Sequence, residues 1–290
     1  MARALAIDVG GSKMAAAVVD GGGAVERSAR VPTPAGDAEE LWSALLGVVV
    51  QVRTGDEVVC GVGCGGPMAP GGEEVSPLNI PGWSGFPLRS RLAEATGLPT
   101  HVDNDAKALA LGEGWRGAAH GVADFIAMVV STGIGGGIVL GGRLLDGAAG
   151  NAGHIGHVIV EPGGRPCACG ARGCLEAEAS GPSIAAATGR PAEEAGPEAV
   201  ARAGTLVGRA VASVANLLDL RLAVVAGSVA LGFGDPFFAA AQAELDRSAR
   251  LAFSRGTRIV PAGLGPAGPL VGAAAVGWRA LGRPVLAGPA

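Results

Sequence analysis

Two segments about half a chain apart follow the same pattern. Arg3 to Val9, then Gly10-Gly11-Ser12-Lys13, then Met14 to Asp20 reads as apolar strand, glycine turn, apolar strand. Phe125 to Val130, then Ser131-Thr132-Gly133-Ile134-Gly135-Gly136-Gly137, then Ile138 to Leu140 repeats it. Apolar runs bounded by glycines are strands, and repetition of such a unit predicts a duplicated α/β fold of two related halves. The rest of the pattern fills out each half. The first takes an amphipathic helix over 38–52, a buried strand over 57–63, a Pro- and Gly-rich loop to about Phe86, a helix over 88–96 stopped by Gly97, a short strand His101-Val102-Asp103 and a helix over 106–115. The pattern restarts around 116–121. The second half takes helices near 182–188 and 197–218, a strand 222–226 with the turn Gly227-Ser228, a helix 236–249, a strand 258–261 and a final helix from 268 to 281.

Composition removes several function classes. The 290 residues are 49% hydrophobic with a net charge of -4 and no Lys- or Arg-rich stripe, so no nucleic-acid footprint is present. No apolar run of about 18 residues stands clear of Gly, Pro and polar interruptions, which predicts no membrane helix. Met1-Ala2-Arg3 leads straight into the first strand without a secretory pattern, and a cytoplasmic location is expected. Thiols stay reduced there, which bears on the cluster His157-x9-Cys167-x-Cys169-x4-Cys174. Three thiols and one imidazole make the closed tetrahedral set of a structural zinc, against the rival readings of buried reduced cysteines or one disulfide. Such a metal folds a loop and does no chemistry. The clipped loop would hold His154, His157 and Glu176 rigidly enough to orient a small polar ligand.

The glycine turns suggest phosphate. Asp8-Val9-Gly10-Gly11-Ser12-Lys13 sets a carboxylate at a strand end and two glycines where backbone N–H groups can approach an anion. One such loop is usually a plain hairpin; two at equivalent points of a duplicated fold favour phosphate. A Walker-type loop is excluded, since no G-x-x-x-x-G-K-[ST] occurs. Gly61-Val62-Gly63-Cys64-Gly65-Gly66 fits a dinucleotide fingerprint, but Pro67-Met68-Ala69-Pro70 follows in place of a helix. Asn104-Asp105 falls where a strand gives way to a helix. Asp105 is there a helix cap, a base for an attacking hydroxyl, or both.

Asp8 to Lys13, Val102-Asp103-Asn104-Asp105-Ala106, Ser131 to Gly137, the His154 to Glu176 cluster and Gly227-Ser228 together resemble the ROK family (repressors, open reading frames, kinases) of sugar kinases and sugar-responsive regulators. The resemblance implies an actin-like ATPase, ribonuclease H-like, duplicated two-domain α/β fold with an interdomain cleft where sugar and ATP meet. It implies an N-terminal domain of residues 1–116 joined by the returning C-terminal helix, 268–290, and a larger domain of 117–267 with the zinc loop. Asp105 matches the catalytic base. Asn104, Glu176 and His157 match sugar-contacting residues, and Gly65, Gly66 and Asn79 lie in loops lining the sugar pocket. Asp8 matches the acid that manages Mg²⁺ and phosphate. Gly10, Gly11, Thr132 and Gly133 match phosphate contacts, with Ser12 and Lys13 in the same turn, and Gly227-Ser228 lies near the adenosine. ATP, Mg²⁺ and structural Zn²⁺ are the implied cofactors, and a homodimer is expected.

One departure bears on the substrate. Family glucokinases usually read Gly-Glu-x-Gly-His before the zinc cysteines, whereas this chain reads Gly153-His154-Ile155-Gly156-His157. That string is similar to bacterial N-acetylmannosamine kinases of the family, which share the Ser-Thr-Gly-x-Gly-Gly-Gly loop. A carboxylate only accepts hydrogen bonds, while a histidine can donate one to an acetamido oxygen. His154 therefore either selects an N-acetylhexosamine or marks drift at a pocket edge. The expectation is a hexose or N-acetylhexosamine 6-kinase with N-acetylmannosamine favoured, glucokinase as the alternative, and a non-catalytic sugar sensor or transcriptional regulator as the competing class. Family regulators carry an N-terminal helix-turn-helix domain of several dozen residues, whereas here the kinase-like pattern begins at about Arg3.

Overall fold

The computed structural model describes residues 2–288. In chain order its elements are β1 (Arg3–Val9), β2 (Lys13–Asp20), β3 (Val25–Pro32), α1 (Ala38–Val52), β4 (Glu57–Cys64), α2 (Leu88–Thr96), β5 (Thr100–Asn104), α3 (Asp105–Arg116), β6 (Phe125–Val130), β7 (Ile134–Leu140), β8 (Arg143–Leu144), α4 (Leu175–Ala179), α5 (Gly181–Thr188), α6 (Pro197–Leu218), β9 (Leu222–Ala226), α7 (Ser228–Phe233), α8 (Asp235–Ser248), β10 (Arg258–Pro261) and α9 (Gly268–Ala280). They divide into two compact units. Within the described residues the first comprises 2–121, 146–152 and 263–287; the second comprises 122–145, 153–262 and 288.

Each unit is built on a mixed five-stranded sheet, in the orders β3-β2-β1-β4-β5 and β10-β9-β6-β7-β8. Both begin as an antiparallel meander and continue with two parallel strands beside the first strand. The second order is the first read backwards, so the duplication visible in the two glycine hairpins extends to whole sheets. This is the two-domain actin-like arrangement.

In the first unit the two faces of the sheet are packed differently. Leu5, Ile7 and Val9 of β1 join Cys60, Val62 and Cys64 of β4 in a cluster with Leu41, Leu45, Val48, Val49 and Val52 of α1. These α1 positions recur at helical spacing, and each such buried side chain contributes about 1.5–3 kcal/mol. A reciprocal capping box starts α1: Asp37 accepts from the Glu39 and Glu40 N–H groups, and Glu40 accepts from the Asp37 N–H. The opposite face is made of small residues. Ala6 pairs with Gly61, and a Cβ on Gly61 would overlap the Ala273 carbonyl and come within 2.7 Å of the Gly277 nitrogen, both on α9. A Cβ on Gly112 of α3 would come within 2.9 Å of the Gly272 Cα. Helix α9 therefore meets β4 and α3 backbone to backbone. Glu113, fully buried, secures the segment that leads into α9 by accepting from the N–H groups of Ala118 (2.7 Å), Gly263 (3.0 Å) and Leu264 (3.1 Å).

The second unit centres on α6, whose Val200, Ala203, Leu206, Val207, Ala210 and Val211 pack with Phe237, Ala241 and Leu245 of α8. Three details depart from the sequence pattern. Gly135, Gly136 and Gly137 belong to β7, paired with Val129, Met128 and Ala127, and are not part of the turn. β3 exposes Glu26, Arg27, Ser28 and Arg30 at a sheet edge. Gly227-Ser228 opens directly into the helix α7.

Because the Gly61 contact is with backbone that cannot rotate away, Gly61→Ala should destabilise the protein by about 1–3 kcal/mol or more, the usual range for overpacking. Chemical denaturation monitored by circular dichroism measures this; an unchanged midpoint would show that α9 can shift to absorb the methyl group.

Candidate functional site

In the first unit, chemistry-bearing side chains collect at the carboxyl ends of β1, β4 and β5. Asp8, next to last in β1, sits in register with Gly63 of β4, and a Cβ on Gly63 would lie 3.7 Å from the Asp105 Cα. The two acidic residues therefore flank a position with no side chain. Burial, and then the charge of Asp105, push the Asp8 carboxyl up to about 7, while Lys13 opposes the shift. A half-buried acid raised by desolvation and by a second carboxylate is a place suited to a cation, which would reverse both effects. Mg²⁺ accompanying a nucleotide fits it.

Asn104 and Asp105 divide two roles between them. Asn104 is the N-cap of α3, its side-chain oxygen accepting from the Ala106 N–H at 3.0 Å. Asp105 is the first helical residue, also accepting from Ala106 at 2.8 Å. The cap is thus supplied by Asn104, although the local pattern favours Asp105 for it. Gly66 adjoins the pair, since a Cβ there would stand 3.3 Å from the Asn104 Nδ2. The Gly10 N–H closes the first glycine turn on the Lys13 carbonyl at 3.0 Å, with Ser12 and Lys13 exposed at its tip. Asn79 packs against that turn, 2.6 Å from where a Gly11 Cβ would be. Gly65 lies at ordinary contact distance from Pro77 in the same loop system. The structure thus gathers Asp8, Gly10, Gly11, Asn79, Gly66, Asn104 and Asp105 within this unit.

The second unit gathers another set. Ser131, Thr132 and Gly133 form the tight turn between β6 and β7, closed by a 3.0 Å bond from the Ser131 N–H to the Gly133 carbonyl. The hydroxyls of Ser131 and Ser228 are 2.8 Å apart. Gly227 has φ of 103° and a Cβ there would overlap the Val130 carbonyl, so glycine is required. Ser131 was absent from the expected contacts, although it stands in the motif; only its long-range pairing with Ser228 marks it. Glu176 of α4 accepts from the Ile134 N–H at 2.8 Å, directly over Gly133. His154 and His157 stack with ring centroids 6.1 Å apart. Their segment lies flat on β7, because any Cβ on Gly153 or Gly156 would overlap the carbonyls of Gly136 and Ile134. A Cβ on Gly136 of β7 would in turn stand 3.2 Å from the Gly153 carbonyl, tighter than an ordinary contact.

The cysteine cluster can be tested for metal on its own geometry. One ligand atom from each of His157, Cys167, Cys169 and Cys174 falls within a 4.8 Å span. Cys169 and Cys174 sulfurs are 3.7 Å apart, and so are the Cys167 sulfur and the His157 Nδ1. A tetrahedral zinc with Zn–S of about 2.3 Å and Zn–N of about 2.0–2.1 Å has S–S edges of about 3.8 Å and S–N edges of about 3.6 Å. The same separations are far beyond the ~2.05 Å of a disulfide. Burial, and then Cys169 and Cys167 beside it, push the Cys174 thiol up to about 12, opposition that a dication would remove. The residues fit zinc. The loop is also held by protein: buried Glu178 accepts from the Arg165 N–H at 2.6 Å and from Arg202 of α6 at 2.8 Å, and Arg209 donates to the Val160 carbonyl at 2.7 Å.

Residues 4–279 match the ROK family. The chain is 37% identical over 248 residues to an N-acetylmannosamine kinase of Escherichia fergusonii, an alignment covering 79% of this chain and 84% of that protein. Its fold matches a ROK hexokinase from Thermus thermophilus with a TM-score of 0.83 and 35% identity, covering 97% and 99% of the two chains. A ROK glucokinase from Streptomyces griseus, solved with glucose and AMPPNP, matches with a TM-score of 0.83 and 30% identity over 96% and 99%. Among the described residues no helix is long and apolar enough to cross a membrane.

Two measurements bear on these sites. Protein purified without chelators should contain about one zinc per chain by elemental analysis, and Cys169→Ser should lose it together with the order of the loop. Asp8, whose folded value of about 7 lies above its ordinary 3.8, makes the folded state bind a proton more tightly than the unfolded state does. Its contribution therefore falls as pH rises from about 4 to 7 and is constant above that. Asp8→Asn should be more stable than wild type at pH 8, with the gap closing towards pH 4 in thermal melts.

Proposed function

The chain belongs to the ROK family, and we propose that it is an ATP-dependent sugar kinase transferring the γ-phosphoryl group to the 6-hydroxyl of an N-acetylhexosamine or hexose, with N-acetylmannosamine favoured. The observation that carries this reading is the placement of Asp105. Its carboxylate stands at the start of α3, beside Asn104 and Gly66 and within electrostatic reach of the half-buried Asp8, while Asn104 is the N-cap of its helix. A carboxylate so placed can accept a hydroxyl proton as that oxygen attacks phosphorus in line. Asn104, Gly65, Gly66 and Asn79 would orient the sugar, as would His154, His157 and Glu176. The turns at Gly10-Gly11 and Thr132-Gly133 would receive the phosphates, with Ser12 and Lys13 at the edge of the first, and Gly227-Ser228 would lie near the adenosine. Mg²⁺ held through Asp8 would neutralise charge on the phosphoryl oxygens. Zinc at His157, Cys167, Cys169 and Cys174 would hold the histidine segment in place.

His154 supports the N-acetylmannosamine reading. It occupies the position where a carboxylate suits ring hydroxyls, and its N–H suits the acetamido carbonyl. The 37% identical relative bears that activity in its name. Glucose is the competing substrate, supported by the similarity to the Streptomyces glucokinase.

A coupled ADP-release assay over glucose, mannose, N-acetylmannosamine and N-acetylglucosamine tests the reading directly. Asp105→Asn should lower turnover by about 10² to 10⁴ while calorimetric sugar binding survives; turnover within a few-fold of wild type would leave Asp105 no role as base. His154→Glu should move the kcat/KM ratio towards glucose by more than ~10-fold. A wild type that already prefers glucose, with an unchanged ratio in the variant, would place specificity elsewhere.

A further inference from the structure

Lys107 lies two residues beyond Asp105 on α3, and its side chain is only 4% exposed. An ammonium at that depth has three N–H bonds to satisfy and no water to satisfy them. Three acceptors surround it: Asp103 Oδ1 at 3.0 Å, Asp146 Oδ1 at 2.6 Å and the Gly150 carbonyl at 3.3 Å. Arg279 of α9 adds a second cation, 3.6 Å from Asp146 Oδ2 and 4.0 Å from Asp103 Oδ2. Two cations thus face two carboxylates, and the array is neutral. Asp103 immediately precedes Asn104 and accepts its N–H at 2.8 Å. The other two acceptors belong to the segment Asp146–Ala152, which packs with the first unit and runs on in sequence into Gly153 and His154.

An ordinary exposed ion pair would contribute little. This pair is different because removing either anion leaves a buried ammonium short of a partner. We propose that Lys107, with Asp103, Asp146 and Arg279, is a positioning clamp that holds segment 146–150 onto the strand end presenting Asn104 and Asp105, and that sugar affinity depends on it. Lys107 does not touch the reacting atoms. The inference rests on the kinase reading above, since it takes Asn104 and Asp105 as sugar contacts.

Asp146 is the safe position to test, its side chain being 53% exposed. Asp146→Asn should weaken sugar binding, read as calorimetric Kd and as KM, by about tenfold, while the KM for ATP and kcat stay within about twofold of wild type. Asp146→Glu, which keeps the charge, should recover most of the affinity. Hydrogen exchange should rise together in residues 103–108 and 146–152 of the Asn variant, a readout independent of turnover. Unchanged sugar affinity with unchanged exchange at 103–108 overturns the clamp, and so does an equal rise in the KM values for sugar and ATP, which would report general loosening. Wild-type protein that phosphorylates none of the four sugars refutes the kinase reading instead. Wild type that phosphorylates one of them, with an Asp146→Asn variant that binds it equally well, refutes the clamp alone.

Discussion

The closest constraint in the first unit is the contact of α9 with β4 and α3 through backbone atoms. Where Gly61, Gly112 and Gly272 meet their neighbours, no side chain intervenes, and packed backbone has no rotamers with which to relax. The last helix of the chain thereby fixes the height of β4 over the small-residue face of the sheet. The far ends of β4 and β5 deliver Gly65, Gly66, Asn104 and Asp105, so their mutual placement is set by a contact on the opposite side from α1. Glu113 serves the same end by binding the N–H groups of the segment that brings α9 back.

The second unit reaches similar rigidity by another route. Its histidine segment lies on β7 because glycine faces glycine there, and its cysteine loop is anchored by arginines of α6 as well as by the metal-ligand cluster. Glu176 is part of this economy: a carboxylate expected to contact sugar also accepts the N–H that follows the Thr132-Gly133 turn. In the proposed kinase, ligand recognition and loop geometry would share one side chain.

Much of this was legible in the sequence because it is local. The apolar stripe of α1, the glycine that ends α2 and the apolar strands β1, β6 and β9 all follow from short-range chemistry. The positions of Asp8 and Asn104-Asp105 at strand ends were legible for the same reason. What escaped depends on distant partners. β3 is a polar edge strand whose only signal is its neighbour β2. Gly135–Gly137 reads as a turn until the segment at Gly153 is seen to lie on it. Lys107 has the appearance of a solvated helix residue, because Asp146 is 39 positions away. Of the readings open for Asp105, the cap falls to Asn104, one residue earlier, which offers the same chemistry.

The scarcity of lysine has a chemical consequence. Of 22 basic residues only Lys13 and Lys107 are lysines, and arginine does not acylate under conditions where an amine does. Lys107 is sealed among its carboxylates, while Lys13 is exposed on the first glycine turn. Among side chains, an acetyl donor or an activated ester therefore has a single lysine within reach. Acylating it would remove the positive charge that opposes burial at Asp8, so that one covalent label on the surface would be read as a proton held more tightly inside.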